Sequence, residues 1–249
     1  MLMTFVGVGN GLAPQFGNNN VLLEGDELAL LDCGSLTPAR LFEEGVLRRV
    51  RHFLVTHVHA DHVGGLELVA HLNRYFYRER PHLYFHEDLW TELWDETLRG
   101  GLERSQDGEG NPERASLADY FELHHLDDED PVARIPGLPP ITFVPTLHVA
   151  GKPAFSLYLG DDIYYSSDSQ LSPPPQGLHG QPLRAIFQDC QIQGGKANVH
   201  ATYEELKQLP PELKRITHLM HFTPGFEKLD ALADGFAGFV RPGQRFEFD

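Results

Sequence analysis

Short apolar and alternating runs at the start of the chain predict three β-strands before the first helix. The strands are expected over residues 4–9, 21–24 and 27–32, and Gly25-Asp26 between the last two is typical of a tight hairpin turn. Thr37-Pro38 then starts a predicted helix through Leu47, because proline is well suited to the first helical turn. The chain therefore opens with strands rather than with a helix.

An apolar strand followed by a helix comes next. Residues 51–56 form a short apolar run, His57 follows directly, and after Gly64-Gly65 the apolar positions recur with the period of a helix. The histidine-rich segment between them occupies a strand-to-helix loop, where an irregular backbone can direct several side chains at one point.

The rest of the chain predicts an irregular segment and a second set of strands. Residues 75–130 are the least regular part, and we interpret them as an insertion near the mouth of the functional site. After it we expect strands at 141–145, 155–159, 163–166, 185–190 and 216–220, and a helix at 203–209. With no internal repeat, we expect residues 1–249 to form one α/β domain, in which helices lie outside layered sheets.

Composition and charge narrow the classes of function. The chain has 249 residues, 41% of them hydrophobic, and its net charge is −16. That charge argues against a long nucleic acid as a partner, because phosphate contacts require a basic surface. No apolar stretch approaches the ~20 residues that span a bilayer. With no export signal either, we expect a cytoplasmic protein without membrane contact, in which Cys33 and Cys190 are buried free thiols.

The most informative string is Thr56-His57-Val58-His59-Ala60-Asp61-His62. It places four ligand-type side chains within six positions, and three of them are imidazoles, which suit zinc and its neighbours in the first transition row. Four donors on so short a loop cannot all reach one ion, but alternate residues can face two adjacent ions. We therefore predict a site for two metal ions rather than a solvated histidine-rich loop.

The apolar strand, this motif and Gly64-Gly65 together resemble the metallo-β-lactamase superfamily, over essentially the whole chain. The resemblance implies the α/β fold of that superfamily, an αββα four-layer sandwich, and two divalent metal ions, either Zn²⁺ or Mn²⁺. The implied ligands are His57, His59 and His148 for the first ion, Asp61, His62 and His221 for the second, and Asp168 bridging both. Asp32 matches a further position, behind the ligands.

His218 competes with His221 for the last ligand position. Strand residues three apart point to opposite faces, so only one of the two can serve. His221 lies at the exit of its strand and is followed by Phe222-Thr223-Pro224, as in the superfamily. We therefore favour His221.

The implied reaction is hydrolysis, because two cations ~3.5–4 Å apart can share a hydroxide and hold the oxygens of an in-line displacement. True β-lactamases lack the bridging aspartate, which thioester, lactone and phosphodiester hydrolases share. Asp189 and the string Asn198-Val199-His200-Ala201-Thr202 resemble the ribonuclease Z-like phosphodiesterase branch. That resemblance implies catalytic roles for His200, Asp61 and Asp168, with His200 as the general acid that Asp189 orients.

A smaller group within this branch is more similar still. The long arm that ribonuclease Z carries between its equivalents of His148 and Asp168 is missing here, which argues against transfer-RNA processing. Gly7-Val8-Gly9-Asn10, with Gly17-Asn18-Asn19-Asn20, looks like the anti-Pycsar cyclic-nucleotide phosphodiesterases of viruses and their bacterial relatives. The similarity implies a homodimer that hydrolyses 3′,5′-cyclic nucleotides to nucleoside monophosphates.

Other interpretations stay open at this point. The alternatives are a thioester or lactone hydrolase with the same two-metal site, a ribonuclease Z-like endonuclease, and a non-enzymatic metal-bearing scaffold. Leu171 stands where lactone hydrolases commonly carry a tyrosine, which counts against them, and no ligand position is lost, which counts against the scaffold. Four aromatic residues of the insertion could stack on a base, although each is also typical of a core: Trp90, Trp94, Tyr120 and Phe121.

Overall fold

Two seven-stranded β-sheets dominate the computed structural model, which describes residues 1–171, 175–192 and 199–249. The strands are β1 (Leu2–Phe5), β2 (Val21–Glu24), β3 (Leu28–Leu31), β4 (Val50–Val55), β5 (His82–His86), β6 (Arg104–Gln106), β7 (Pro112–Arg114), β8 (Glu122–Leu126), β9 (Val132–Ala133), β10 (Ile141–Pro145), β11 (Phe155–Leu159), β12 (Ile163–Tyr165), β13 (Ala185–Asp189), β14 (Thr217–Met220), β15 (Gly238–Phe239) and β16 (Arg245–Glu247). Residues 172–174 of the proline-rich stretch and Asn198 of the predicted His200 segment lie outside the described residues.

The helices are short. They are α1 (Thr37–Glu43), α2 (Ala60–Val63), α3 (Leu66–His71), α4 (Arg99–Leu102), α5 (Tyr203–Leu206) and α6 (Pro211–Lys214). Two π-helical segments, Leu72–Tyr77 and Thr91–Leu98, directly follow α3 and directly precede α4. Single 3₁₀ turns occur at Pro14–Phe16, Leu47–Arg49, Glu87–Leu89, Leu117–Asp119, Leu178–Gly180 and Phe226–Lys228.

Each sheet combines antiparallel and parallel pairing. The first has the order β16-β1-β2-β3-β4-β5-β8 and is parallel from β3 to β8. The second has the order β15-β14-β13-β12-β11-β10-β9 and is parallel from β12 to β15. Ligands of such sheets bind beyond the carboxyl ends of the parallel strands. The fold therefore offers two edges at which functional side chains can gather.

Apolar side chains fill the space where the two sheets face each other. Phe5 of β1 lies 5.2 Å from Phe187 of β13, measured between ring centroids, and Phe246 of β16 lies 4.9 Å from Phe187. Phe5 and Phe187 are fully buried, in a hydrophobic cluster drawn from both sheets. Full burial of one such side chain stabilises the fold by about 1.5–3 kcal/mol. The predicted α/β class of layered sheets is confirmed.

The first predicted helix is shorter than expected at its carboxyl end. It ends at Glu43, because Gly45 adopts a left-handed φ of +70° and its N–H bonds to the carbonyl of Phe42 at 3.0 Å. Such a glycine closes the last helical turn and turns the chain away. The predicted helix over 203–209 likewise ends early, at Leu206.

The irregular segment over residues 75–130 contributes two strands to the first sheet. β5 and β8 pair in parallel, and the rest of the segment lies outside that sheet, at residues 75–81, 87–121 and 127–130. Tyr120 and Phe121 are fully buried there and Trp94 is nearly so, which confirms the core interpretation for these three aromatic residues. Trp90 packs on the core and lies against Phe85. The placement of the remaining segment at the mouth of the site stays a prediction.

Two smaller expectations can be compared directly with the structure. Cys33 and Cys190 are buried free thiols, as predicted. Within the described part of the chain, we find no helix with the length and apolar character required to cross a membrane.

Candidate metal centre

The histidine loop is anchored where it leaves β4. The backbone N–H and the hydroxyl of Thr56 both donate to the carboxylate of Asp32, at 2.9 and 2.8 Å. Asp32 directly follows β3, the neighbouring parallel strand. Farther along, the N–H of Cys33 donates to the carbonyl of His62 at 2.7 Å. The exit of β3 therefore holds both ends of the loop in place.

Three residues around this loop have a strained backbone. Asp32, Ser167 and His221 adopt left-handed φ angles of 59°, 51° and 56°, although none of them is glycine. Each follows the end of a strand, and each such residue costs about 1–3 kcal/mol, so it persists only where the surrounding structure imposes it. Strain of this kind is typical of functional sites.

The seven predicted ligands lie in two groups that share Asp168. One group contains the ring nitrogens of His57, His59 and His148 with Asp168, and its ligand atoms all lie within 4.8 Å of one another. The second group combines Asp168 with three other predicted ligands under the same criterion: Asp61, His62 and His221. The structure thus brings together every residue that the sequence resemblance named as a ligand.

The two oxygens of Asp168 face different groups. Its Oδ2 lies 3.7 Å from His57 Nε2 and 3.8 Å from His148 Nε2. Its Oδ1 lies 3.3 Å from His62 Nε2 and 3.2 Å from His221 Nε2. A carboxylate in this position can serve two cations at once, one through each oxygen.

The donor atoms are spaced like metal ligands. His59 Nδ1 lies 3.1 Å from His57 Nε2 and 3.2 Å from His148 Nε2. A tetrahedral zinc ion, with Zn–N bonds of 2.0–2.1 Å, separates its ligand atoms by roughly 3.3 Å. In addition, His62 Nε2 and Asp168 Oδ1 are buried and, among the described residues, form no contact with the geometry of a hydrogen bond, which is costly for polar atoms. These residues therefore fit divalent cations of the zinc type.

Hydrogen bonds from behind orient the ligand rings. His62 Nδ1 donates to Asp32 Oδ2 at 2.8 Å, and His148 Nδ1 donates to the carbonyl of Val199 at 2.8 Å. His221 Nδ1 lies 3.3 Å from Asp189 Oδ1. Because the outer nitrogen of each ring carries the proton, the inner Nε2 is left to bind a cation. Asp32 and Asp189 thus lie on the outer side of these rings, in contact with the nitrogens that face away from the donor groups.

The first group of histidines is neutral in the metal-free chain at pH 7. Burial lowers the pKa of His57 well below its ordinary value, and burial also lowers the pKa of His59 and of His148. A neutral imidazole keeps a free lone pair, which is the form that binds a metal ion. The charge state of this group already suits ligation.

The two histidines of the second group differ from the first. Burial opposes their charge, but the carboxylates of Asp168 and Asp32 outweigh it and raise the pKa of His62 well above the ordinary value. In the same way, Asp168 and Asp189 overcome burial and raise the pKa of His221 to about 10. A cation that binds this group therefore displaces protons.

His200 lies beside both groups. Its Nδ1 lies 2.7 Å from Asp189 Oδ2, and its ring centroid lies 4.8 Å from that of His148 and 5.2 Å from that of His221. Burial lowers the pKa of His200, but the Asp189 carboxylate outweighs burial and raises it. The side chain keeps 17% of its surface exposed. Asp189 thus orients the His200 ring and favours its protonated form. The ring reaches solvent next to the two donor groups.

His218 does not join the centre. Its ring stacks on Phe187 at 5.2 Å between centroids and meets the edge of Phe246 at 4.7 Å. Burial lowers the pKa of His218 to about 4. As expected for strand residues three apart, the side chains of His218 and His221 lie in different surroundings.

Sequence reasoning missed the role of the asparagine run. The side chain of Asn20 accepts from the N–H of Gly34 at 2.7 Å and donates to the carbonyl of Asp61 at 3.1 Å. Asn18 accepts from the N–H of Leu36 at 2.8 Å. These amides join the first loop of the chain to the metal loop. Consecutive asparagines in a glycine-rich loop were the available signal, because amide side chains can satisfy backbone groups of other segments.

Comparison with known proteins agrees with this geometry. Residues 1–246 match the family model described as anti-Pycsar protein Apyc1. The chain is 36% identical to the anti-Pycsar protein Apyc1 of Paenibacillus sp. (strain J14), with 96% of each chain covered. It is 32% identical to the protein of the same name from Bacillus phage 010DV004, with 99% of this chain and 98% of the relative covered.

Solved structures show the same fold at low sequence identity. The metallo-beta-lactamase fold protein YhfI from Bacillus subtilis superposes with a TM-score of 0.72 at 17% identity, over 98% of both chains. A diphosphatase of the PhnP family gives a TM-score of 0.70 at 19% identity, over 100% of this chain and 98% of that one. The predicted metallo-β-lactamase fold is confirmed.

Fold, donor cluster and relatives lead to one assignment. The two four-residue donor groups on this fold make the chain a metal-dependent hydrolase, as predicted from the sequence. The family model covers nearly the whole length, and relatives above 30% identity carry the same name. The chain belongs to the anti-Pycsar protein Apyc1 family.

Proposed function

We propose that the protein is a two-metal phosphodiesterase that hydrolyses 3′,5′-cyclic nucleotides to nucleoside monophosphates. The observation that carries this proposal is the position of His200 beside two donor groups that share Asp168. The family name supports a cyclic-nucleotide substrate, as does the sequence resemblance described above. A small anionic substrate is also compatible with an acidic chain, because only the site has to attract it.

The two donor groups suggest how the cations are held. We assign His57, His59 and His148 to one ion, with Oδ2 of Asp168. Asp61, His62 and His221 hold the other, with Oδ1 of Asp168. Five imidazoles among seven ligands favour Zn²⁺, and the same set accepts Mn²⁺. When bound, two such ions supply an activated water at neutral pH and neutralise the charge on the phosphoryl oxygens.

His200 is the residue that we assign to the leaving group. Asp189 accepts the hydrogen bond from Nδ1 of His200, so the proton available for transfer is on Nε2. As the oxygen of a water bonds to phosphorus and one ester P–O bond breaks, the water releases a proton to solvent and Nε2 of His200 gives its own proton to the departing sugar oxygen. An alkoxide is a poor leaving group, so this proton transfer is worth about 10²–10⁴ in rate.

Two alternative substrates are less well supported. The segment between His148 and Asp168 is short. It contains one basic residue, Lys152, and two acidic residues, Asp161 and Asp162. It therefore offers no basic arm for a transfer RNA. Leu171 packs on a hydrophobic cluster, where a lactone hydrolase would need a hydroxyl to polarise its substrate. Thioesters and lactones accordingly serve as the comparison substrates.

The test is a substrate screen that includes leaving groups of different quality. Protein with a measured metal content is assayed on purine and pyrimidine cyclic nucleotides, bis(p-nitrophenyl) phosphate, S-lactoylglutathione and acyl-homoserine lactones. We expect turnover of the cyclic nucleotides. In His200→Ala, turnover of the cyclic nucleotides should fall by about 10²–10⁴. Turnover of bis(p-nitrophenyl) phosphate, whose leaving group needs no proton, should fall by less than about tenfold.

His179→Ala is the matched control, because His179 is exposed and outside both donor groups. It should keep full turnover of every substrate. Turnover of esters without turnover of any phosphodiester would refute the proposed function. Equal losses on both classes of phosphodiester in His200→Ala would refute the general-acid role but not the substrate class.

We further propose that the enzyme acts as a homodimer in the cytoplasm, without a membrane or a long nucleic acid as partner. The homodimer is supported by the sequence resemblance described above. The two free thiols are typical of a reducing compartment. Sedimentation equilibrium measures the oligomeric state.

A further inference from the structure

A short rigid loop reaches the edge of the second donor group. The N–H of Leu12 donates to Oδ1 of Asn10 at 3.0 Å, and the N–H of Ala13 donates to the backbone carbonyl of Asn10 at 3.0 Å. Ala13 is fully buried and anchors the far side of the turn. Asn10 also forms a long bond of 3.5 Å from its N–H to the carbonyl of Phe222, next to His221. The turn is thereby fixed against the ligand segment.

Gly11 places this turn against a metal ligand. A Cβ added at Gly11 would lie 3.3 Å from Cγ and Oδ1 of Asp61 and 3.4 Å from Oδ2. Adjacent Cα atoms are 3.8 Å apart, so Cα of Leu12 lies within roughly 9 Å of the Asp61 carboxylate. A cyclic nucleotide whose phosphorus lies at the donor groups spans a similar length to the far edge of its base, so a side chain within that limit is in reach of the base.

Leu12 is held out into solvent at this position. Its exposure of 85% is the highest of any large hydrophobic residue in the described ranges. A single exposed leucine elsewhere would need no explanation. Here the backbone of the turn is hydrogen-bonded and anchored, and yet the side chain packs on nothing large enough to cover it. A ligand that reaches the donor groups from this side would cover it.

We propose that Leu12 packs against the base of the substrate and thereby determines affinity for cyclic nucleotides. The inference rests on the proposed function, since it identifies where that substrate lies. Of the four aromatic residues considered as platforms, Tyr120 and Phe121 are fully buried and Trp94 is nearly so, which leaves only the partly buried Trp90. Leu12 supplies an apolar surface in their place, on the side of Asp61 and His221. It does not touch the reacting atoms, so it changes binding and not the chemical step.

The test compares two substrates that differ only by the base. These are 3′,5′-cyclic AMP and methyl riboside 3′,5′-cyclic phosphate, which has the same reactive ring. In Leu12→Ala, we expect KM for cyclic AMP to rise about fivefold to tenfold, as loss of one side of a leucine contact predicts. Its kcat, and both constants for the base-free substrate, should stay the same. Leu12→Met, which conserves volume, should restore KM.

A binding measurement supplies a readout that does not depend on turnover. Calorimetric titration with a hydrolysis-resistant phosphorothioate analogue of cyclic AMP should show the same fivefold to tenfold loss in Leu12→Ala. Leu232→Ala is the matched control, because Leu232 is 69% exposed but belongs to a different loop. That variant should bind the analogue like the parent protein.

The outcomes separate this inference from the proposed function. If the parent protein turns over cyclic AMP but Leu12→Ala leaves KM and analogue affinity unchanged, the role of Leu12 is refuted and the function stands. A change in sedimentation with Leu12→Ala, without the substrate-specific change in KM, would assign Leu12 to a contact between copies and also refute it. If the parent protein turns over none of the purine and pyrimidine cyclic nucleotides of the screen and does not bind the analogue, both proposals fail.

Discussion

Two histidines of one segment show how the environment selects a function at the residue scale. His218 and His221 are three residues apart, yet their pKa values move in opposite directions. Burial beside Phe187 and Phe246 lowers the pKa of His218 to about 4. His221 is also buried, but nearby carboxylates raise its pKa to about 10. The same side chain is thus a packing residue at one position and a cation ligand at the other.

Replacing His218 by phenylalanine is expected to reduce the acid sensitivity of the metal-free fold. The pKa of about 4 in the folded chain lies below the ~6.5 of an unfolded chain, so the unfolded chain takes up the proton first as pH falls. His218 therefore has no effect above pH 6.5 and destabilises the fold increasingly from pH 6.5 down to 4, by at most roughly 3 kcal/mol.

Urea unfolding of the parent protein and His218→Phe at pH 7.5 and 4.5, both with chelator, measures this effect. The variant should lose about 1–3 kcal/mol less than the parent protein on acidification. Its metal content without chelator should equal that of the parent protein. Equal acid sensitivity of the two proteins would show that His218 is not held neutral by burial, and a lower metal content would make it a ligand.

At the scale of elements, the exit of β3 and the start of α2 are in backbone contact. A Cβ added at Gly34 would lie only 2.1 Å from the carbonyl oxygen of Asp61 and 2.6 Å from Oδ1 of Asn18. The N–H of Ser35 also donates to the carbonyl of Ala60 at 3.1 Å. The position of the ligand loop thus depends on a glycine in another element.

Gly34→Ala is therefore expected to destabilise the protein by roughly 2–3 kcal/mol and to weaken metal binding, because the loop that carries Asp61 has to move. Denaturant unfolding and competition with a chromophoric chelator measure the two effects. Gly100→Ala is the control, since its added Cβ has no neighbour within 4 Å in the described part of the chain outside its own helix and adjacent residues, and the position is helical. That change should stabilise the protein slightly. Similar stability of both variants would mean that the close approach at Gly34 is relaxed in solution.

The sequence was most informative where ligands and structure are local. His57, His59, Asp61 and His62 fall within one loop, so residue type and spacing indicated a two-metal site without any tertiary information. The distant ligands, such as His148, required the family resemblance, because nothing in the chain between them fixes how far apart they lie in space. Strand positions were predicted for the same local reason.

The features that could not be predicted from the sequence depend on contacts with residues far along the chain. The irregular segment contains β5 and β8, which were not predicted as strands. Their place in the first sheet is set by pairing with β4 and with each other. The hydrogen bond from the Asn20 side chain to the Asp61 carbonyl joins residues that are forty-one positions apart. Likewise, exposure distinguishes Leu12 from other leucines, and exposure is a property of the folded molecule. Pattern and propensity carry no information on such pairings.

At the scale of the whole molecule, the metal centre joins the two sheets. Its first four ligands follow β4 of the first sheet, whereas His148, Asp168 and His221 follow β10, β12 and β14 of the second. The two strand edges meet there through contacts such as that between His221 Nε2 and Asp61 Oδ2, at 3.2 Å. Cations bound between them would cross-link the sheets directly, in addition to the apolar core.

Removal of the metal ions is therefore expected to lower the free energy of unfolding of the entire domain, not only its activity. A ligand present at a thousand times its dissociation constant stabilises the folded state by about 4 kcal/mol, and it acts only if the folded state alone binds it. Thermal unfolding with zinc and with chelator measures the difference. Asp168→Asn provides the comparison, because its amide nitrogen has no lone pair for a cation while its shape is unchanged. Its metal-dependent gain in stability should be less than half that of the parent protein, with elemental analysis showing fewer than two ions per chain. Chelation could leave the unfolding temperature of the parent protein unchanged while metal analysis confirms that the ions are lost. That result would show that the fold alone builds the centre and that the cations do not stabilise the contact between the sheets.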